Sequence, residues 1–172
     1  VIFTSKAGES HSQMTNFACA YGSQNIFSHW SCCPITYNTV LSHTFGGSMT
    51  RDFAESKYII NFGHNLFEGI DISNTKKLAK FAKKEDTKLV VLEPRFSVVA
   101  AKADEWLPIK PGTDLAFVMA LIHVWLRDGK YDKKFIEYYT IGIEHVIEAT
   151  KNSTPKWQEK ITGIKAETVE RI

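Results

Sequence analysis

Two apolar runs joined by an amphipathic segment constrain the fold of this chain more than any other feature. KYIINFG (57–63) is a continuous apolar run that ends in glycine, and TKLVVLEP (87–94) is a second, which ends in proline. Runs of this kind are typical of parallel strands that are covered on both faces. Two such strands with a helix between them form a right-handed βαβ unit. We therefore expect 57–63 and 88–92 to be neighbours in a parallel sheet.

The segment between the two runs has the period of a helix. From Asp71 to Lys84, apolar residues recur at helical spacing and lysines occupy the opposite face. The residues predicted for the apolar side are Ile72, Leu78, Ala79, Phe81 and Ala82. The lysines are best explained as the solvated face of a crossover helix, so this charge run does not indicate nucleic-acid binding.

The remainder of the chain is predicted to be mostly helical. Residues 104–109 form a short third strand candidate, and Thr113 or Asp114 begins a helix that ends near Gly129. Apolar spacing and capping residues predict further helices at 12–21, 34–45, 131–140, 143–152, 154–163 and 165–172. The predicted fold class is α/β, a Rossmann-like open parallel sheet with flanking helices and a helical C-terminal part. We expect residues 1–172 to form a single domain.

Charge and cysteine content exclude several classes of protein. The 21 basic and 19 acidic residues give a net charge of +2, which provides no argument for a nucleic acid or a membrane surface as partner. Three cysteines, with two adjacent at 32 and 33, cannot form an ordinary disulfide framework. The adjacent pair also lacks the spacing of a zinc knuckle.

Polar residues follow the predicted strands at the edge of the sheet where ligands bind in open α/β folds. They are Gly63, His64 and Asn65 after the first strand, Glu93, Pro94 and Arg95 after the second, and Gly112, Thr113 and Asp114 before a helix. Amide, carboxylate, guanidinium and backbone N–H groups of this kind suit a nucleotide and its phosphates. The alternative is that Glu93 and Arg95 form a surface ion pair. An ordinary dinucleotide fold is disfavoured, because GxGxxG is absent.

The stretch YGSQNIFSHWSCC (21–33) combines a tight Gly-Ser turn with a histidine and a thiol four residues later. A thiolate is a soft ligand for a heavy metal. A histidine here could position a substrate or supply a proton near neutral pH. The alternative is that both adjacent cysteines are small buried hydrophobes, and Cys19, in an apolar helix pattern, is expected in the core.

Four motifs in order carry a resemblance to a known family: YGSQNIFSHWSCC, NFGHN at 61–65, LEPR at 92–95 and ADEWLPIKPGTD at 103–114. Together they resemble the molybdopterin oxidoreductases of the dimethyl-sulfoxide-reductase superfamily. The chain looks most like the catalytic subunits of thiosulfate, polysulfide and arsenate reductases. Those subunits are several times longer, so the resemblance implies one cofactor-binding domain of a larger enzyme, inactive alone.

The resemblance implies a bis-molybdopterin guanine dinucleotide cofactor carrying molybdenum or tungsten, with an iron–sulfur cluster only in an N-terminal part beyond this chain. The residues that it assigns to the cofactor are Gly22, Ser23, Asn25, Gly63, Asn65, Glu68, Glu93, Arg95, Gly112 and Asp114. Glu93 stands where the family usually has aspartate. The family pattern N-x-x-x-H-x-S-x-C, here Asn25 to Cys33, makes Cys33 the metal ligand and His29 a catalytic residue.

The resemblance also implies a reaction and its setting. It implies two-electron reduction of thiosulfate, polysulfide, tetrathionate or arsenate in anaerobic respiration. Electrons would come from an iron–sulfur subunit, with a membrane anchor subunit, in the periplasm or at the cell exterior. A formate dehydrogenase or a hydratase of the same superfamily is the first alternative; formate enzymes tend to have arginine where Ser31 stands. A non-catalytic binding or assembly module is the second, and Cys33 argues against it.

Overall fold

The computed structural model describes residues 2–4, 9–28, 33–69 and 71–172, with side chains for 11–28, 35–69 and 71–172. The chain divides into two compact units, residues 1–51 and residues 52–172. The expectation of a single domain over 1–172 stays a prediction.

The first unit contains two short strands and two helices. They are β1 (Ile2–Thr4), α1 (Glu9–Ala20), β2 (Ile26–Ser28) and α2 (Cys33–Phe45). β1 and β2 pair in parallel, with Ile2 opposite Ile26. The two predicted helices are confirmed. The sequence did not predict β2, because three residues inside a loop are too few to show a strand period.

The expectation that Cys19 lies in the core is wrong. Cys19 is a free cysteine on the exposed side of α1, and the neighbouring Ala18 is the buried residue. Successive helical residues point about 100° apart, so the helix can bury one of these two positions and expose the other.

The second unit is built on a three-stranded parallel sheet. β3 (Tyr58–Phe62), β4 (Lys88–Leu92) and β5 (Glu105–Leu107) lie in that order. β3 and β4 pair from Tyr58 opposite Lys88 to Phe62 opposite Leu92. The predicted parallel pairing of the two apolar runs is therefore confirmed, and so is the short third strand.

Apolar residues cover both faces of the sheet. Along β4, Val90 and Leu92 belong to one buried cluster, while Leu89 and Val91 belong to the other. Alternate residues of a strand point to opposite faces, so each face of β4 is covered. The first cluster packs on helix α4 (Asp114–Arg127), and the second packs on helix α3 (Ile72–Phe81). The α/β class with flanking helices is confirmed.

Helix α3 is the crossover between β3 and β4. The Asp71 carboxylate caps it by accepting from the Asn74 amide at 3.2 Å. Leu78 and Phe81 are buried, as predicted. The prediction for Ile72 is wrong: its side chain is 67% exposed, because it occupies the first helical position, ahead of the turns that pack on the sheet.

The C-terminal part is helical, as predicted. After α4 come α5 (Lys133–Tyr139), α6 (Ile143–Thr150), α7 (Pro155–Thr162) and α8 (Ala166–Arg171). The Thr154 hydroxyl accepts from the Trp157 amide at 3.2 Å, and Pro155 opens α7, which confirms the predicted cap. None of the helices described is long and apolar enough to cross a membrane.

Candidate functional site

The carboxyl ends of the three parallel strands bring three loops to one edge of the sheet. Gly63 follows β3, and its N–H donates to the Leu92 carbonyl of β4 at 2.9 Å. Gly63 and Gly112 have φ of +59° and +76°, a backbone conformation that L side chains rarely adopt. A Cβ atom at either position would meet nothing within 4 Å, so the backbone here faces open space. The edge therefore exposes main-chain groups that a ligand could approach closely.

Glu68 links the loop after β3 to the loop after β4. It ends a short 3₁₀ helix, Leu66–Glu68, and its carboxylate accepts from both the Asn65 side-chain amide and the Arg95 guanidinium. The Arg95–Glu68 contact is 2.8 Å long. The alternative of an ion pair between Glu93 and Arg95 is wrong, because Arg95 pairs with Glu68 instead. Three of the predicted site residues thus meet in one cluster.

The charges of this cluster stabilise each other. The hydrogen bond from Arg95 is the main cause that holds the pKa of the Glu68 carboxyl below its ordinary value, and Asn65 lowers that pKa further. The same bond raises the pKa of Arg95. Both side chains are largely exposed, at 65% for Arg95 and 43% for Glu68. Exposed ion pairs contribute little to stability, so this pair orients groups rather than holding the fold together.

We expect a carboxyl NMR titration to find Glu68 with a pKa below its ordinary value. In Arg95→Met the pKa should return toward that value, because the largest cause of the depression is removed. Because the pKa of Glu68 is lower in the folded than in the unfolded protein, the ion pair adds a small stabilisation of the fold above the unfolded pKa. That stabilisation is lost as pH falls through the folded pKa. Lys83→Met is the control, and an equal change there would contradict the assignment to Arg95.

Asn65 leaves one oxygen without a partner. Its Nδ2 donates to Glu68, which directs the amide, and its Oδ1 is buried with no hydrogen-bond partner in the described part of the chain. Buried polar atoms are nearly always paired, so an orphaned acceptor at a sheet edge suits a ligand N–H or O–H donor.

Glu93 occupies a different environment from the one predicted. It directly follows β4 but is only 8% exposed, and its carboxylate accepts from the Ser97 hydroxyl. Ser97 itself is 3% exposed. Ser97 is not among the predicted site residues, and its position four residues after Glu93 is the one signal that the sequence offers.

The N-terminus of α4 forms the third side of the edge. Asp114 is the first helical residue and is half-buried, and Gly112 precedes it by two positions. The Thr113 hydroxyl donates to the Lys110 carbonyl at 2.6 Å instead of capping the helix. Asp114 follows β5, which runs parallel to β4, and its place beside the Asn65–Glu68–Arg95 cluster stays a prediction. The first N–H groups of such a helix suit phosphate oxygens.

The predicted thiol loop belongs to the first unit. Gly22, with φ of +79°, and Ser23 form the turn after α1, and the Ser23 hydroxyl accepts from the Asn25 amide at 3.3 Å. His29 lies outside the described residues, and so does the side chain of Cys33, whose backbone opens α2. Among the residues that the structure describes, no group of three or more His, Cys, Asp or Glu is placed to hold a metal. The roles of His29 and Cys33 stay predictions.

A family model described as molybdopterin oxidoreductase matches residues 2–154. The chain belongs to this family. The match spans both units and every residue of the Asn65–Glu68–Arg95 cluster. Membership confirms the resemblance and implies a molybdenum or tungsten pterin cofactor.

Similar proteins place the chain within that family. It is 38% identical over its whole length to the thiosulfate reductase molybdopterin-containing subunit of Salmonella typhimurium and covers 23% of that protein. It is 30% identical over 92% of its length to the arsenate respiratory reductase molybdopterin-containing subunit of a Shewanella species, and covers 21% of it. Acetylene hydratase from Pelobacter acetylenicus has a similar structure, with a TM-score of 0.81 and 29% identity, over 98% of this chain and 24% of that one. The chain thus spans about a quarter of the length of its relatives.

Proposed function

We propose that this chain is a cofactor-binding domain of a molybdenum or tungsten oxidoreductase, and that its sheet edge holds the guanosine diphosphate half of a molybdopterin guanine dinucleotide. The observation that carries this proposal is the Asn65–Glu68–Arg95 cluster, which joins the loops after β3 and β4. Ligands of open α/β sheets bind at this edge.

Each group in the cluster has a complementary partner in a guanine nucleotide. The orphaned Oδ1 of Asn65 would accept from a guanine N–H or a ribose hydroxyl. The Arg95 guanidinium and the first N–H groups of α4 would donate to the two phosphates. The bound cofactor supplies two-electron redox chemistry at its metal, while the protein binds and orients it. Cys33 is proposed as a thiolate ligand of that metal, with Gly22, Ser23 and Asn25 in the turn near it, and His29 as a residue that positions substrate or holds a proton.

The proposed substrate is a sulfur compound or an oxyanion such as thiosulfate, polysulfide, tetrathionate or arsenate. This proposal rests on similarity to proteins named as thiosulfate and arsenate respiratory reductases. Both are named as molybdopterin-containing subunits, which supports further electron-transfer partners for this protein, for which we propose an iron–sulfur subunit and a membrane anchor. We also propose a periplasmic or exterior location, which cell fractionation with periplasmic and cytoplasmic marker enzymes would test.

A hydratase activity is the second candidate. The observation that favours it is the similarity to acetylene hydratase over 98% of the chain. Assays of the full-length protein separate the candidates, because a reductase consumes electrons from a reduced dye and a hydratase does not. Dye oxidation that depends on thiosulfate or arsenate supports the reductase, and acetylene hydration without dye oxidation contradicts it.

We expect Arg95→Ala to weaken binding of GDP to the apo form of the full-length protein by about 10- to 100-fold, because a charge-assisted bond to phosphate is lost. Isothermal titration calorimetry measures this effect directly. Arg127→Ala is the matched control: Arg127 is also ion-paired, with Glu170 and Asp128, but lies at the other end of α4. Equal losses in the two variants, or no GDP binding by the unmodified protein, would contradict the proposed site.

Residues 1–172 alone should be catalytically inactive, because the second pterin and much of the substrate pocket would be held by other domains. The measurement is dye-coupled reduction of thiosulfate, polysulfide, tetrathionate and arsenate by the purified chain, with the full-length protein as reference. A purified chain that retained stoichiometric metal and turned over any of these substrates would contradict this expectation.

A further inference from the structure

The carboxylate of Glu93 accepts a hydrogen bond from a buried side chain of the protein. Ser97 donates its hydroxyl to Glu93 Oε2, and the same Ser97 oxygen accepts from the Ala100 amide at 3.3 Å. Glu93 and Ser97 are both buried, at 8% and 3% exposed. A buried carboxylate is costly unless it is hydrogen-bonded, so the serine hydroxyl is the partner that makes this position tolerable.

Three further contacts fix the same turn. The Trp106 indole donates to the Glu93 carbonyl at 2.8 Å, and its ring packs edge-on against Phe96 with centroids 4.9 Å apart. The Ser97 amide donates to the Arg95 carbonyl at 2.9 Å. The backbone on both sides of Arg95 is therefore held by groups of the protein itself.

Arg95 is the one charged side chain of this turn that points outward. Its side chain is 65% exposed and its guanidinium contacts Glu68, while the Glu93 carboxylate accepts from Ser97. We propose that Glu93, Ser97 and Trp106 are positioning residues, which hold the 93–97 turn so that Arg95 is aimed at the phosphates, and that Glu93 makes no contact with the ligand. This inference rests on the proposed nucleotide site and revises the role that family resemblance assigned to Glu93.

Rigid placement matters because a guanidinium binds phosphate best through fixed, parallel hydrogen bonds. Loops are mobile unless tied down, and a mobile arginine must be ordered when the ligand binds. The longer Glu93 side chain fits this role, since it reaches back across its own turn to Ser97, four residues away. An aspartate at this position would be one methylene shorter.

The test compares substitutions in the apo full-length protein by calorimetric titration with GDP, inorganic pyrophosphate and guanosine. Ser97→Ala should weaken GDP and pyrophosphate binding by about 3- to 10-fold, because it removes the hydrogen bonds of the hydroxyl with Glu93 and with the Ala100 amide, and should leave guanosine binding unchanged. Glu93→Ala should also weaken GDP and pyrophosphate binding by about 3- to 10-fold and leave guanosine binding unchanged. Glu93→Gln should change each value by less than about twofold, because its amide oxygen still accepts from Ser97. Ser153→Ala, another buried serine of the same unit, should have no effect.

A ligand-free measurement is made on the same variants. The backbone amide of residue 97 is hydrogen-bonded to the Arg95 carbonyl. Its hydrogen exchange should be about tenfold faster in Ser97→Ala and unchanged in Glu93→Gln.

A direct contact between Glu93 and the ligand would give the opposite pattern. Glu93→Gln would weaken GDP binding as much as Glu93→Ala does and would leave pyrophosphate binding unchanged, and Ser97→Ala would have no effect. That result would overturn the positioning role. The nucleotide site would still stand if Arg95→Ala weakened GDP binding. If the unmodified protein binds neither GDP nor pyrophosphate, the nucleotide site itself fails. Guanosine loss equal to GDP loss would indicate general disruption and also overturn the inference.

Discussion

Cys33→Ala in the full-length protein should abolish turnover, with a loss of more than about 100-fold, whereas Cys32→Ala should keep most of the activity. Substitutions that merely disturb the surroundings of a metal ligand cost up to about 100-fold, so loss of the ligand itself should cost at least that much. Only one of two adjacent cysteines can easily direct its thiolate to a single metal, because successive side chains point in different directions. The resemblance to the family pattern N-x-x-x-H-x-S-x-C, matched from Asn25 to Cys33, implies that Cys33 is the ligand.

Both cysteine variants need a check of metal and pterin content before rates with thiosulfate, polysulfide, tetrathionate and arsenate are compared. If only Cys32→Ala lost activity, the ligand would move by one residue. Full activity in both variants would remove the thiolate ligand from the mechanism.

Phe117→Ala should destabilise the second unit by about 3–5 kcal/mol. Phe117 is fully buried in α4 and packs edge-on against Phe62 of β3, with ring centroids 6.0 Å apart. Removing the ring leaves a cavity between the helix and the sheet. Because Asp114 begins the same helix, GDP binding should weaken together with stability.

Chemical denaturation followed by the fluorescence of the half-buried Trp106 and Trp125 measures this loss. Phe135→Ala is the matched control, since Phe135 is 52% exposed on α5 and its removal should cost no more than about 0.5 kcal/mol. Equal free energies of unfolding for the two variants would show that the buried cluster of Val90, Leu92 and Phe117 is not the core of this unit.

The sheet was predictable because its signals are local and periodic. The runs around β3 and β4 are continuously apolar, and Leu78 and Phe81 recur at helical spacing between them, so a parallel pairing followed from the sequence. The start of α7 at Thr154–Pro155 was equally predictable, because the capping residue and the proline determine the conformation of the adjacent backbone.

Side-chain partners were less predictable, since they depend on tertiary placement. Glu68 and Arg95 are 27 residues apart and meet only because β3 and β4 end side by side, so the sequence suggested the nearer Glu93 as the alternative partner and did not suggest Glu68. The burial of Glu93 depends on the Ser97 hydroxyl, which no spacing rule selects. The predictions that Ile72 and Cys19 are buried were wrong for a related reason. The helical period identifies the apolar face, but it does not show where along the helix packing begins or which of two neighbouring residues is buried.

One carboxylate joins the two halves of the proposed nucleotide site. The Asn65 side chain, with its orphaned oxygen, and the exposed Arg95 side chain both contact the Glu68 carboxylate, so in the proposed site the recognition of base or ribose and the recognition of phosphate would share one support. Preorganised groups of this kind bind without having to be ordered first.

The most direct test of the proposed nucleotide site is an experimental structure of the full-length protein loaded with its cofactor. We predict a guanosine diphosphate group at the carboxyl ends of β3, β4 and β5, with Asn65 Oδ1 and the Arg95 guanidinium within hydrogen-bond distance and the phosphates at the N-terminus of α4. A nucleotide bound away from this edge, with Arg95 still paired only to Glu68, would contradict the account.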